Sequence, residues 1–184
     1  MPGCISNSTF FRVCAQFGHF IMPPKGSKAV TCLQNVISRL TTYKGKHYSK
    51  NTFITIPVRW GDHDAMNHVN NVVYFQYFEQ ARCKWFHEHA NMPLSAVEAQ
   101  LGKVEIAPII ASTSCRYKRP VTFPDTLTVA FSSVVVEKER GDFRHDYIVY
   151  SESQDAVVSE GVAEIVSYNY KEKARCPVPD DWVF

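Results

Sequence analysis

The first 61 residues of this 184-residue chain contain no aspartate or glutamate, although they carry eight lysines and arginines. The remaining residues hold the other twelve basic side chains and all eighteen acidic ones. The chain therefore consists of a basic leading piece and a longer, net acidic piece. A net negative charge repels nucleic acid, which argues against a nucleic-acid partner for the longer piece.

The sequence also lacks long apolar runs and paired cysteines. No stretch of about 18 apolar residues is present, so no membrane-spanning segment is predicted. The six cysteines are scattered without a Cys-x-x-Cys pair, which argues against a disulfide framework and favours a reducing compartment. The length is that of a single domain with room for an extension.

Residues 1–50 are predicted to form an N-terminal extension, followed by a domain at 51–172 and a C-terminal tail at 173–184. Within 31–43, apolar residues recur every three or four positions, which predicts an amphipathic helix. A basic amphipathic segment without acidic residues resembles a mitochondrial presequence, so a mitochondrial location is expected. The alternative is an extension that carries no targeting signal, in which case a cytoplasmic location is expected.

The longer piece reads as one strand, one long helix and four further strands. Residues 53–58 alternate as a strand, and Pro57 favours a sheet edge. Residues 70–90 lack proline and glycine and predict a helix with a broad apolar face. Strands are predicted at 106–116, 126–139, 143–152 and 157–170. This order predicts an α+β fold in which an antiparallel sheet of five or more strands wraps around one long helix.

Four titratable side chains lie within seven residues just ahead of that helix: Asp62, His63, Asp64 and His68. The first N–H groups of a helix are unpaired and carry a partial positive charge, which stabilises a developing oxyanion. A carboxylate beside such donors can attack a carbonyl carbon or activate a water molecule. The pattern therefore suits acyl transfer.

Other interpretations of the same turn stay open at this point. Asp62, Asp64 or Asn70 could cap the helix, and His63 and His68 could be surface histidines. A metal site is disfavoured, because neighbouring residues of one turn rarely converge on an ion. No Gly-x-Ser-x-Gly motif supports a serine nucleophile. We expect no metal and no cofactor.

A second polar feature stands at the end of the strand predicted over 106–116. Arg116, Lys118 and Arg119 follow one another closely there, before Pro120. Such cations can bind phosphate groups, or they can form an ordinary solvated strand end.

Two separated motifs give the chain a family resemblance. The segment Trp60-Gly-Asp-x-Asp-Ala-x-x-His-Val-Asn-Asn-x-x-Tyr-Phe-x-Tyr-Phe-Glu-x-Ala-Arg82 resembles the signature of the hotdog-fold acyl-CoA thioesterases, the 4-hydroxybenzoyl-CoA thioesterase-like family. Residues 117–120 and 123–127 are similar to the segment that follows in the same family. The resemblance covers about residues 52–170.

The resemblance implies a thioester hydrolase with a hotdog fold, acting on an acyl-CoA without a cofactor. It implies a homodimer or homotetramer whose active site lies at the subunit interface. By the same resemblance, Asp64 is the nucleophile or general base and His68 assists it. The side chains expected to contact substrate are Asn70, Asn71, Tyr74, Lys118 and Arg119.

Two positions depart from the family pattern. Asn67 stands where many members have glycine, and asparagine tolerates a positive φ better than most residues. Met66 stands where plant acyl-carrier-protein thioesterases have asparagine, which favours a CoA thioester. The alternatives are a hotdog dehydratase acting on acyl thioesters and a non-catalytic acyl-CoA-binding module.

Overall fold

The computed structural model describes residues 28–89, 105–182 and 184. The chain divides into two units, Met1–Arg39 and Leu40–Phe184. Helix α1 (Lys28–Leu40), all but the last residue of which belongs to the first unit, overlaps the helix predicted within residues 31–43. Most of the predicted presequence lies outside the described residues. None of the described helices is long and apolar enough to cross a membrane.

The second unit is built on an antiparallel sheet and one long helix. Its elements are β1 (Thr42–Tyr43), β2 (Lys46–His47), β3 (Ile54–Pro57), α2 (Val73–Glu88), β4 (Ile106–Tyr117), β5 (Thr126–Glu137), β6 (Asp142–Ser151), β7 (Ala156–Asn169) and β8 (Ala174–Arg175). Strands β1 and β2 form a hairpin, and the main sheet has the order β3-β5-β6-β7-β4 with β8 beside β7. The predicted α+β architecture is confirmed, and β3 with Pro57 lies at an edge as expected. Helix α2 begins at Val73, later than the predicted start near residue 70.

Helix α2 packs its aromatic face against the sheet. Tyr74, Tyr77 and Phe78 are buried, and the ring of Phe78 stacks on that of Tyr147 in β6 with 4.5 Å between centroids. Gly161 in β7 lies under the same ring, since a Cβ atom built there would stand 2.5 Å from Phe78. The absent side chain at this position therefore allows the helix to approach the sheet closely.

Both ends of this unit pack on the sheet. The hydroxyl of Tyr43 donates to Glu160 at 2.8 Å, and Lys46 pairs with Asp146 at 2.9 Å. The sheet-bearing unit spans Leu40–Phe184, so residues 40–50 of the predicted N-terminal extension lie within it. The stretch predicted as a C-terminal tail contributes β8 and places Val178 and Trp182 in the hydrophobic core.

Gly161→Ala should lower the free energy of unfolding by about 1–3 kcal/mol, because the new methyl group overpacks the helix–sheet contact. Denaturant unfolding measures the change. Combining Gly161→Ala with Phe78→Leu should cost less than the sum of the two single changes, since the smaller side chain makes room for the methyl group.

Gly61→Ala is the matched control, because a Cβ atom at Gly61 meets no atom within 4 Å. Its stability should equal that of the wild type. A Gly161→Ala protein as stable as the wild type, or additive effects in the double variant, would contradict the proposed close approach.

Candidate active site

The turn between β3 and α2 is anchored by the buried side chain of Asp62. One carboxylate oxygen accepts hydrogen bonds from the Arg59 backbone N–H at 2.8 Å and from the Tyr77 hydroxyl at 3.0 Å. The other accepts from Nε of the Arg59 side chain at 3.0 Å. Asp62 is therefore a structural residue that joins the turn to helix α2.

These bonds set the ionisation of Asp62. Burial by itself would raise the pKa of the carboxyl group, but the hydrogen bonds from Arg59 and Tyr77 outweigh burial and hold this pKa below its ordinary value. Burial, together with the bond to Asp62, raises the pKa of Tyr77, so the phenol keeps the proton that it donates. The side chain stays an anion with its acceptors in use, which makes it a poor candidate for proton transfer.

Asp64 has the opposite character, because its carboxylate is exposed. Its Oδ1 atom accepts the backbone N–H of Met66 at 2.8 Å and that of His68 at 3.4 Å. Its own N–H donates to the carbonyl oxygen of His68 at 2.9 Å. One oxygen thus fixes the orientation of the carboxylate, while Oδ2 has no hydrogen-bond partner among the described residues. This geometry can present one oxygen to a reacting group.

The turn closes with Asn67 in the left-handed region, at a φ of 62°. Asparagine adopts this conformation more readily than most residues, which explains how the turn forms without glycine. Its N–H donates to the carbonyl oxygen of Asp64 at 3.1 Å. Asn70 then leads into the helix, since its side-chain oxygen accepts the N–H of Val72 at 3.2 Å. Among the predicted caps, Asn70 is the one beside the start of α2.

Three hydrogen bonds attach the turn to the end of β4 and to the connection between β4 and β5. The N–H of Val69 donates to Val121 O at 2.8 Å. The Tyr117 hydroxyl donates to Asn71 O at 2.9 Å. The N–H of Phe123 donates to Nε2 of His63 at 2.7 Å. The sequence singles out His63 only as a titratable member of the turn, because the N–H that donates to it lies sixty residues away in the chain.

The other predicted site residues of the turn and helix differ in exposure. His68 and Asn71 are exposed, and His68 contributes its backbone to the hydrogen bonds around Asp64. Tyr74 is only 2% exposed. Its ring packs edge-on against Tyr77 and Tyr117, at 5.9 and 5.2 Å between centroids. Tyr74 is therefore packed in the hydrophobic core beside the turn rather than on an open surface.

Lys118 and Arg119 have different surroundings. The Lys118 ammonium donates to Glu160 at 2.6 Å and to the Tyr43 hydroxyl at 2.9 Å. Burial alone would raise the pKa of Glu160, yet the bonds from Lys118, Lys44 and Tyr43 lower it to about 2. Arg119 is exposed and has no side-chain partner in the described part of the chain. Of the two, only Arg119 is free to meet a ligand.

Lys118 also points away from the helix. Gly161 faces Phe78 of α2, and successive side chains of a strand alternate between the two faces of a sheet. Glu160, the partner of Lys118, therefore lies on the outer face. The structure does not bring the Lys118 ammonium together with Asp64.

A cavity of about 350 Å³ lies on that outer face, between the β1–β2 hairpin and strands β4, β6 and β7. Its lining includes Tyr43, Lys46, Arg116 and Glu160, and no residue of the 60–72 turn. The turn itself is open to solvent and is surrounded by exposed apolar side chains, namely Trp60, Met66, Val72 and Phe123. Within the described ranges, no three His, Cys, Asp or Glu side chains converge as metal ligands.

Comparison with known proteins defines the class. Residues 58–183 match the sequence model of the thioesterase-like superfamily. The chain is similar to the PA2801 protein of Pseudomonas aeruginosa, a candidate thioesterase, with 29% identity over 70% of this chain and 92% of that one and a TM-score of 0.56. No curated protein matches the chain.

Two solved structures with lower identity share the fold. Slr0204 of Synechocystis, a 1,4-dihydroxy-2-naphthoyl-CoA thioesterase, is 18% identical over 70% of this chain and 90% of that one, with a TM-score of 0.59. A DHNA-CoA thioesterase of Staphylococcus aureus is 19% identical over 71% of this chain and 80% of that one, with a TM-score of 0.54.

The chain belongs to the thioesterase-like superfamily. Its sheet wrapped around a central helix is a hotdog fold, as in these neighbours. The predicted enzyme class, a thioester hydrolase, is confirmed at this level.

Asp62→Asn should lower the free energy of unfolding at neutral pH by about 1–3 kcal/mol, the size of buried hydrogen bonds to a charged group. Because the folded-state pKa of Asp62 is depressed, its stabilisation is present above the pKa of an unfolded aspartate, about 3.9. It is lost as the pH falls through the lower folded-state pKa.

The difference between wild type and Asp62→Asn should therefore shrink in strong acid, as denaturant unfolding at several pH values will show. Asp181→Asn, at an exposed carboxylate, is the control and should leave stability unchanged. A pH-independent difference would mean that the charge of Asp62 is not what stabilises the turn.

Proposed function

We propose that this protein hydrolyses acyl-CoA thioesters to a free acid and CoA, with Asp64 as the catalytic carboxylate. The observation that carries the proposal is the geometry of Asp64: an exposed carboxylate whose Oδ1 is held by two backbone N–H groups while Oδ2 is free of partners within the described ranges. The family adds the class of bond that is cleaved.

Two routes use that free oxygen. As a general base, Oδ2 takes a proton from water, and the water oxygen bonds to the thioester carbon. The tetrahedral intermediate then breaks its C–S bond, and the departing thiolate takes up the proton. As a nucleophile, Oδ2 itself bonds to the carbon and displaces the thiolate, and water hydrolyses the resulting anhydride. Label found in Asp64 after a single turnover in ¹⁸O-labelled water identifies the second route, because water that attacks the Asp64 carbon of the anhydride leaves its oxygen in the enzyme.

The surroundings of the carboxylate fit this chemistry. The start of α2 carries the partial positive charge of a helix N-terminus, which stabilises the developing oxyanion. The side chain of Asn70 accepts the N–H of Val72 just before α2. His68 and Asn71 present exposed side chains beside it. We assign these three to assisting catalysis and binding substrate, with Tyr74 beneath them.

The CoA thioester is proposed from the family resemblance, from Met66, and from the CoA thioesters named for the two solved structures above. Arg119 is the cation available for the CoA phosphates, because Lys118 is occupied by Glu160. A hotdog dehydratase and a non-catalytic acyl-CoA-binding module are the rivals, and release of free thiol from several acyl-CoAs separates hydrolysis from both.

The active enzyme is proposed to be a homodimer or homotetramer. Strand β4 is twelve residues long and pairs with β7 alone among the described strands, which leaves its other edge open. Long open edges are normally covered by another chain or element. The exposed apolar side chains around Asp64 are a second surface suited to contact. The molar mass in solution checks the assembly, and a monomer would contradict it.

Mitochondrial import is proposed for the full-length protein, with a cytoplasmic location as the alternative. It is supported by the acid-free composition of residues 1–61 and by the amphipathic helix α1. A full-length fluorescent fusion that stays cytosolic would contradict it.

Asp64→Asn should fold normally and lose about 10²–10⁴-fold in kcat, because an amide can neither take the proton nor attack the carbonyl. Thiol release from an acyl-CoA measures the rate, and circular dichroism checks the fold. Asp62→Asn serves as the matched control at the neighbouring carboxylate and should keep most of the activity where it is folded. A larger loss of kcat in Asp62→Asn than in Asp64→Asn would show that the catalytic role has been assigned to the wrong carboxylate.

Arg119→Ala should raise KM for an acyl-CoA by about two- to fivefold with little change in kcat, the size expected of an exposed charge pair. The effect should decrease as salt is added, because salt screens exposed charges. Lys118→Ala is the comparison. It should lower the free energy of unfolding and leave KM nearly unchanged. A raised KM with unchanged stability would show that Lys118 leaves Glu160 to bind the substrate.

A further inference from the structure

His63, the residue before Asp64, is hydrogen-bonded to a loop that is distant in the sequence. Its Nε2 atom accepts the backbone N–H of Phe123 at 2.7 Å. Its backbone forms a β-bridge with Val69, across the base of the turn that contains Asp64. The imidazole lies beside the rings of Trp60 and Phe123, with centroids 5.9 and 6.5 Å away. The side chain thus attaches the Asp64 turn to the β4–β5 connection.

The donor at Phe123 fixes the protonation state of the imidazole. A neutral imidazole has one N–H donor and one acceptor nitrogen. Because Nε2 accepts a hydrogen bond, the proton resides on Nδ1, which is buried and has no hydrogen-bond partner among the described residues. A second proton on Nε2 would set two N–H groups against each other and bury a charge.

We propose that His63, as the neutral Nδ1–H tautomer, is a positioning residue that holds Asp64 in its reactive orientation by tying the turn to Phe123. This inference rests on the proposed function. It deepens that function by naming the side chain that keeps the carboxylate in place. Of the three hydrogen bonds that link the turn to β4 and the β4–β5 connection, this is the one accepted by a side chain, so a substitution can remove its acceptor.

No charged side chain of the packed elements in the described ranges pairs with the imidazole of His63. From the loop, Phe123 presents its ring and its N–H, while the Asp125 carboxylate is bound to Ser151 and Ser153. From the turn, the neighbouring carboxylates Asp62 and Asp64 accept the bonds described above. None of the described carboxylates lies within ion-pair distance of the imidazole. The hydrogen bond from Phe123 is therefore the polar contact that holds the imidazole in place.

The test compares four single-site variants. In His63→Gln the side-chain oxygen reaches the position of Nε2 and accepts the Phe123 N–H. In His63→Asn the same amide is one carbon too short, and His63→Leu removes the acceptor. His47→Gln, at an exposed histidine of the β1–β2 hairpin, is the matched control.

We expect His63→Asn and His63→Leu to lose about ten- to a hundredfold in kcat with a small change in KM, because a misplaced catalytic group affects the transition state more than binding. His63→Gln should restore kcat to within about threefold. Wild-type kcat in His63→Leu, or a His63→Gln protein as impaired as His63→Leu, would overturn the proposal.

A second readout does not depend on activity. The amide NMR signals of Met66 and His68, which report the Asp64 turn, should shift in His63→Leu and return in His63→Gln. The ¹⁵N signals of the His63 ring should show a bare Nε2 at neutral pH. Unshifted amides or a doubly protonated ring would overturn the inference. A wild type inactive on every acyl-CoA, with the expected NMR signals, would count against the proposed function alone.

Discussion

The buried carboxylate of Asp62 is the interaction on which the site depends. It lies where the chain leaves the edge strand β3, and it accepts hydrogen bonds from Arg59 before the turn and from Tyr77 in the middle of α2. A buried anion is unfavourable unless its acceptors are in use, so this one holds the turn and the helix in a single relative position. Asp62 and Asp64, two nearby carboxylates, thus have different roles. The first is buried and fully engaged, and the second is exposed with one free oxygen.

The helix and sheet beneath the turn are positioned by packing. Gly161 allows Phe78 to reach the sheet and stack on Tyr147. The same approach brings Tyr77 to Asp62 and Tyr74 to Tyr117. Tyr117 in turn donates to Asn71, so that β4 supports the turn from the other side. The hydrophobic core and the hydrogen bonds of the site are therefore parts of one arrangement, in which a change in the helix–sheet distance would move the carboxylate.

The segments flanking the family domain contribute to the sheet rather than extending away from it. The hairpin of β1 and β2 supplies Tyr43 and Lys44 to Glu160, and these groups, with Lys118, form a compact charged cluster on the outer face. Lys118 is thereby paired with Glu160, whereas its position in the motif implies contact with the substrate. The C-terminal residues add Val178 and Trp182 to the core. Composition marks the leading piece as different, but the division of contacts falls at Leu40, inside it.

The sequence by itself determined the order of the elements, the α+β class and the location of the turn, because period-2 and helical patterns and turn residues are local properties. It also singled out Asp64, and it anticipated the strained Asn67, which adopts a positive φ. Only the tertiary structure decided which carboxylate is buried, that His63 accepts a bond from Phe123, and that Lys118 is paired with Glu160. Each of these depends on a partner fifteen to sixty residues away in the chain. Such partners meet only once the sheet has closed around the helix, and no local pattern records them.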